Sequence, residues 1–252
     1  MNTQMIHAEW SKLRSVRSTT TTVIGSVVLA LAFGAIVPLT QIGQWDEMSA
    51  AQQADVDPVS TSLIGVLFAT LFIGSLAVRS VTGEHTTGMI RQTFAAMPQR
   101  RAVYLSKAVI IGLIGLTSSL VANVGAFVIG QGVLADVDID QSIWASDSIR
   151  AIVLGATAVG VVAVLGVGLG GLMRRTAPAT ALLVTVIIGS QLFSVIVPES
   201  ARPYVPGSAL QATVTATPTP DMLAPATAVL VLALYAAVAL TLACLAVTRR
   251  DP

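Results

Sequence analysis

Ala151–Met173 reads AIVLGATAVGVVAVLGVGLGGLM, an unbroken run without a single charge. Wound as an α-helix at about 1.5 Å per residue it is about 35 Å long, enough to cross the ~30 Å hydrocarbon core of a bilayer. Five further stretches have the same character: Thr20–Thr40, Ser60–Val78, Ala108–Leu134, Ala179–Val197 and Pro225–Val247. The composition agrees, with 54% hydrophobic and only 11% charged residues, against about 25% charged in soluble domains. Mean hydropathy is +0.80. The expected fold is therefore an all-α polytopic membrane protein, one domain over residues 1–252 with six transmembrane helices.

Charge fixes the expected orientation. The segments before span one, between spans two and three, between four and five, and after six hold 12 of the 14 basic residues. The alternate segments hold only Arg150 and Arg202, together with 10 of the 13 acids. Lys and Arg accumulate on the cytoplasmic side of membrane proteins, so both termini are expected in the cytoplasm and the chain in the cell membrane. An even number of spans satisfies that arrangement. Ala30-Leu31-Ala32 resembles a signal-peptide cleavage site, but the apolar stretch is nearer 20 residues than the 7–15 typical of such a peptide.

Several function classes are excluded. A net charge of +1 gives no nucleic-acid signal. Cys244 is the sole cysteine, and His7 and His85 stand far apart, so neither an internal disulfide nor a metal cluster is expected. A phosphate-binding loop needs G-x-x-x-x-G-K-[ST]. The only lysines, Lys12 and Lys107, follow Ser11 and Ser106. With no G-x-S-x-G or H-E-x-x-H either, the chain is expected to be neither an ATPase nor a hydrolase and to hold no cofactor.

At the N-terminus Ile6, Trp10 and Leu13 repeat at i, i+4, i+7, which predicts an amphipathic helix lying on the membrane. Gly166 and Gly170 form a small-xxx-small pair that lets helix backbones approach. No charged residue falls within the six apolar stretches, which disfavours an ion-coupled carrier. Asn123 and Gln191 are the polar residues available to line a pathway, or to bond one helix to another. The segment 198–223, with five prolines, cannot be one regular helix.

The loop 80–107, SVTGEHTTGMIRQTFAAMPQRRAVYLSK, is too long for a turn. Thr82 is placed to cap a helix with Glu84 in its first turn. Ile90, Phe94 and Met97 follow at i, i+4, i+7, and Pro98 ends the helix. An apolar stripe with an acid at its start suits a grip for a cytosolic partner. A carrier or a membrane scaffold are the rival classes.

Two stretches resemble the permeases of type-2 ABC exporters, in particular the six-span permeases of actinobacterial and bacitracin- or lantibiotic-resistance transporters. One is Glu9-Trp10-Ser11-Lys12-Leu13-Arg14-Ser15-Val16-Arg17-Ser18-Thr19. The other is Gly83-Glu84, then Thr87-Gly88-Met89-Ile90-Arg91, Pro98-Gln99-Arg100-Arg101 and Lys107. Where that family carries an aromatic residue after the glutamate, this chain has His85. The resemblance implies a coupling helix near Glu84–Phe94, with Glu84, His85, Thr87, Gly88, Ile90, Arg91 and Phe94 facing a separate ATPase subunit that binds ATP and Mg. It also implies a second permease copy or paralogue as partner, with membrane lipid around the unit. Spans without charge suit an apolar or amphiphilic cargo such as a lipid, peptide antibiotic or drug.

Overall fold

A computed structural model describes residues 9–13, 16–96, 99–193 and 196–249, and every regular element among them is helical. Five helices are long and apolar enough to cross a membrane. They are α1 (Arg17–Gly43), the pair α2 (Pro58–Leu63) and α3 (Val66–Thr86) acting as one bent rod, then, after the short α4 (Met89–Ala96), α5 (Arg100–Leu134) and α6 (Ser146–Met173), and last α9 (Pro225–Arg249). Asp57 starts α2 by accepting from the N–H groups of Val59 and Ser60, with Pro58 in the first turn, where its missing N–H costs nothing. The bend between α2 and α3 falls at Gly65, where an added Cβ would stand 2.5–2.9 Å from Ala30 backbone atoms of α1.

The core is built around α6, the most enclosed of the five, which packs on α3, α5 and α9. Its glycines face three different neighbours. A Cβ on Gly160 would lie 2.8 Å from the Gly112 carbonyl of α5, one on Gly166 2.7 Å from the Gly74 carbonyl of α3, and one on Gly168 2.7 Å from the Ala239 carbonyl carbon of α9. Without a hydrophobic drive between helices in lipid, such close approach supplies the attraction. The Gly166/Gly170 pair thus serves packing inside the chain.

The basic segments gather at one end of this bundle. There Thr82 and Thr176 hydroxyls meet at 2.8 Å and Arg100 donates to the Val247 carbonyl at 3.3 Å. The acid-rich segments gather at the other. Asp57 accepts from Ala216 N–H at 2.8 Å, and Arg150 donates to Ala216 C=O at 2.6 Å while pairing with Asp147 at 3.1 Å. Arg150, one of the two basic residues outside the basic segments, is therefore engaged in holding the chain together.

The expected continuous span Ala179–Val197 is corrected. The apolar helix here, Thr176–Leu192, is shorter than the other five. It consists of α7 (Thr176–Val184), a wider π-turn at Thr185–Gly189 and a last turn Ser190–Phe193. Prolines 198, 203 and 206 then prevent its continuation. Instead α8 (Pro206–Ala212) folds back on it. Gly207 N–H donates to Ser190 Oγ at 2.9 Å, and Gln191 donates to the Gly207 carbonyl at 3.1 Å. Between Thr176 and Ala216 the chain nonetheless passes from the basic end to the acid-rich end.

Candidate functional site

At the basic end four charged side chains from three segments meet. Glu9 lies in the helical stretch 9–13, Glu84 in the last turn of α3, and Lys107 two turns into α5. Lys107 Nζ donates to Glu9 Oε2 at 2.6 Å and to Glu84 Oε1 at 2.7 Å. Lys12 closes the ring, donating to Glu9 Oε1 at 3.1 Å and Glu84 Oε1 at 3.2 Å. Glu9 is 3% exposed, Lys107 4% and Glu84 8%. Two acids against two bases leave no net charge, the condition under which ions tolerate such burial. Burial by itself would lower the Lys12 pKa, but attraction from Glu84 and Glu9 and the hydrogen bonds to both outweigh it. Lys12 therefore titrates above the ordinary lysine value of 10.5. Glu84 Oε2 is enclosed and accepts no hydrogen bond among the described residues.

This arrangement corrects two expectations. Thr82 and Glu84 do not open the loop helix; they belong to α3, which runs on to Thr86, and Thr82 Oγ1 bonds to Val78 and Thr176 rather than capping anything. Glu84 and Lys107 thus ride on the ends of membrane helices instead of a loop. The face of residues 9–13 that turns inward carries Glu9 with Leu13, and Trp10 is 49% exposed on the outside. Lys107, buried on α5, pairs with both carboxylates and so holds Glu84 at the end of α3 and Glu9 inward.

The loop helix itself is α4, Met89–Ala96. It begins where Gly88, at φ +72°, turns the chain out of α3, a left-handed conformation that costs glycine nothing. Thr87 is exposed at this corner, its hydroxyl bonded to the Gly83 carbonyl at 2.8 Å. His85 is half-buried with Nδ1 3.1 Å from the Val81 carbonyl, and Ile90 is buried in the core while Met89 is exposed. Arg91 and Phe94 belong to α4, but their side chains, like Ile6, Met97 and Pro98, lie outside the described residues. Asn123 is buried and donates to the Ile152 carbonyl at 3.2 Å, joining α5 to α6. Gln191 joins the π-turned segment to α8. The structure brings Glu84, His85, Thr87, Gly88 and Ile90 together and leaves Asn123 and Gln191 far from them, in separate helix contacts.

Sequence reasoning found Glu84 but missed its partners. Glu9, Lys12 and Lys107 are dispersed along the chain, and the available signal was that the only two lysines flank two of the three acids of the basic segments.

A model of the ABC-2 family transporter proteins matches residues 5–197, more than half of the chain. The chain belongs to the ABC-2 transporter family. It is accordingly an ABC transporter permease, and the five apolar helices make this ABC-2 permease a multi-pass membrane protein. The matched region contains all four members of the ion cluster, α4 and the glycine-rich α6. Among curated proteins none matches the chain.

Proposed function

We propose that this chain is the membrane-spanning half of an ATP-driven exporter that moves an apolar or amphiphilic cargo (a lipid, peptide antibiotic or drug) and couples to a separate ATPase subunit through α4. ABC-2 permeases normally work with an ATPase partner. In this reading the basic end faces the cytoplasm, the segment 176–212 is the sixth crossing, and two permease units pair around a pathway. The observation that carries the proposal is the mounting of α4. It lies between α3 and α5 in the chain, joined to α3 through the turn at Gly88, and the cluster of Glu84, Lys107, Glu9 and Lys12 ties the end of α3 to the start of α5 and to residues 9–13. A displacement of α4 by a docked ATPase would move both membrane helices together, because breaking a buried ion pair costs about 3–5 kcal/mol. Residues 9–13 would anchor the unit at the headgroup level through Trp10.

Cysteine cross-linking tests this. In a Cys244→Ser background, a cysteine at exposed Thr87 should cross-link to the co-expressed ATPase subunit and resist impermeant thiol reagents added to whole cells. Cysteines at exposed Asp140 and Asp221 should react with those reagents. Labelling of Thr87 from outside, or robust ATP turnover by the isolated chain, overturns the proposal.

A further inference from the structure

Arg79 lies one turn before Glu84 on α3 and takes no part in the ion cluster. Its guanidinium donates from Nη2 to Thr22 Oγ1 of α1 at 2.9 Å and pairs with no carboxylate among the described residues. The nearby acids are already neutralised, Glu9 and Glu84 each holding both lysines. Arg79 also stands on the shared wall of two cavities. One, of about 440 Å³, continues toward the ion cluster past Val16, Leu76 and Met89. The other, of about 540 Å³, lies between α1, α3 and α7 and is lined by Thr21, Thr22, Ser75 and Thr180 together with Leu71 and Phe72. Phe72 is exposed on the outer wall of the bundle, so this second cavity opens on the outer surface of the apolar helices.

From this juxtaposition we infer that Arg79 and the cavity beside it bind one anionic phospholipid, its phosphate on the guanidinium and the hydroxyls, its acyl chain along Leu71 and Phe72. Arg79 is exposed at the basic end of α3, at the depth where a lipid phosphate would lie, and the guanidinium fork matches two phosphate oxygens at once. Thr22 occupies one donor and leaves the others for the ligand. The lining selects the class. A free anion would use the arginine and threonines but not the aliphatic wall, and a zwitterionic lipid would bring its own cation beside Arg79. The inference concerns a resident lipid and does not depend on cargo, direction or the ATPase.

The test uses the full chain purified in mild detergent. Phosphatidylglycerol retained per chain is counted by native mass spectrometry, and thermal stability is titrated with phosphatidylglycerol, phosphatidylcholine or inorganic phosphate. Wild type should retain about one phosphatidylglycerol and be stabilised by it alone. Arg79→Gln should weaken that lipid about tenfold or more, as expected for losing a charge-assisted bidentate contact. Exposed Arg175→Gln should leave it unchanged. Should Arg79→Gln fold poorly, Thr180→Phe fills the cavity with Arg79 intact and should displace the lipid as well. Equal binding in Arg79→Gln or Thr180→Phe overturns the inference. So does an equal loss in Arg175→Gln, which would mean diffuse attraction to a basic surface. Equal protection by phosphatidylcholine, or by phosphate alone, also overturns it, as a headgroup-independent groove or a bare anion site.

Discussion

Lys107 and Glu9, 98 positions apart in the chain, form a 2.6 Å ion pair in which both side chains are almost wholly enclosed. The pair joins the segment preceding α1 to the start of α5, and Glu84 shares the same ammonium. Removing Lys107 would leave two enclosed carboxylates facing Lys12 alone. Lys107→Met is therefore expected to destabilise the chain by about 3–5 kcal/mol, the range for breaking a buried pair. Removing the acids with it, in Lys107→Met/Glu9→Gln/Glu84→Gln, should recover much of that loss, since the uncompensated charge is gone. Thermal unfolding of the purified variants in detergent decides it; a single Lys107→Met as stable as wild type would show the cluster to be solvated.

The two acids should prove equivalent to one another. Sequence alone marks Glu84 as the acid of the long loop, whereas in the structure Glu9 is the more enclosed and contacts the same two lysines. Glu9→Gln and Glu84→Gln should both lower thermal stability, and each should lower cargo-stimulated ATPase activity of the assembled transporter. A Glu84→Gln variant inactive in transport yet fully stable, beside a silent Glu9→Gln, would instead place Glu84 in direct contact with the ATPase.

Lys12 gives the cluster a pH dependence with a definite sign. Its pKa is raised in the folded chain above 10.5. The stability it contributes is thus fully present below that ordinary value and disappears as pH rises through the higher folded value. The melting-temperature gap between wild type and Lys12→Met should be constant across neutral pH and close only above about pH 10.5. A gap that closes near neutrality would require a different titrating group.

How much of this was legible in the sequence follows from the range of each interaction. The membrane helices were visible because apolar length is a local property, and Thr20–Thr40 differs from Arg17–Gly43 only in its flanks. The break after α7 was half visible: the prolines exclude a regular helix, but the docking of Gly207 on Ser190 and Gln191 is a tertiary choice. The sequence reading puts Glu84 in the wrong helix because Thr82 reads as a cap, while pairing with Lys107 and the Thr82–Thr176 bond accompany an α3 that runs about two turns beyond Val78, to Thr86. Burial of Glu9 depends on a partner nearly a hundred residues away, and periodicity places it on a polar face.

Glycine positions with and without neighbours should respond in opposite directions. A Cβ at Gly166 would lie 2.7 Å from the Gly74 carbonyl oxygen and 2.9 Å from Ala77 Cβ, so α3 and α6 must separate to admit it. Gly166→Ala is expected to cost about 1–3 kcal/mol, the range for overpacking. Gly83, also helical, has nothing within 4 Å of an added Cβ. Gly83→Ala should be neutral or stabilise by up to about 1 kcal/mol through reduced backbone entropy. Parallel melting curves of the two variants test the packing of α6 on α3 directly.

The sharpest test of α4 is the residue that aims it. Gly88 holds φ +72° with open space around its Cα, so a substitution there meets no steric neighbour and changes only the backbone preference. An L-residue in the left-handed region costs about 1–2 kcal/mol. The chain can relieve this strain by shifting α4 relative to α3, with open space at the corner itself but Ile90 of α4 held in the core. Gly88→Ala should therefore leave insertion intact and lower the melting temperature of the permease by no more than that strain, while lowering cargo-stimulated ATPase activity of the assembled transporter several-fold. Gly88→Asn, whose side chain tolerates the left-handed region, should restore most of the coupling. Because Ala is the smaller of the two residues, that order of activities cannot arise from bulk. Full coupling in Gly88→Ala would mean that the direction of α4 is not what the ATPase reads.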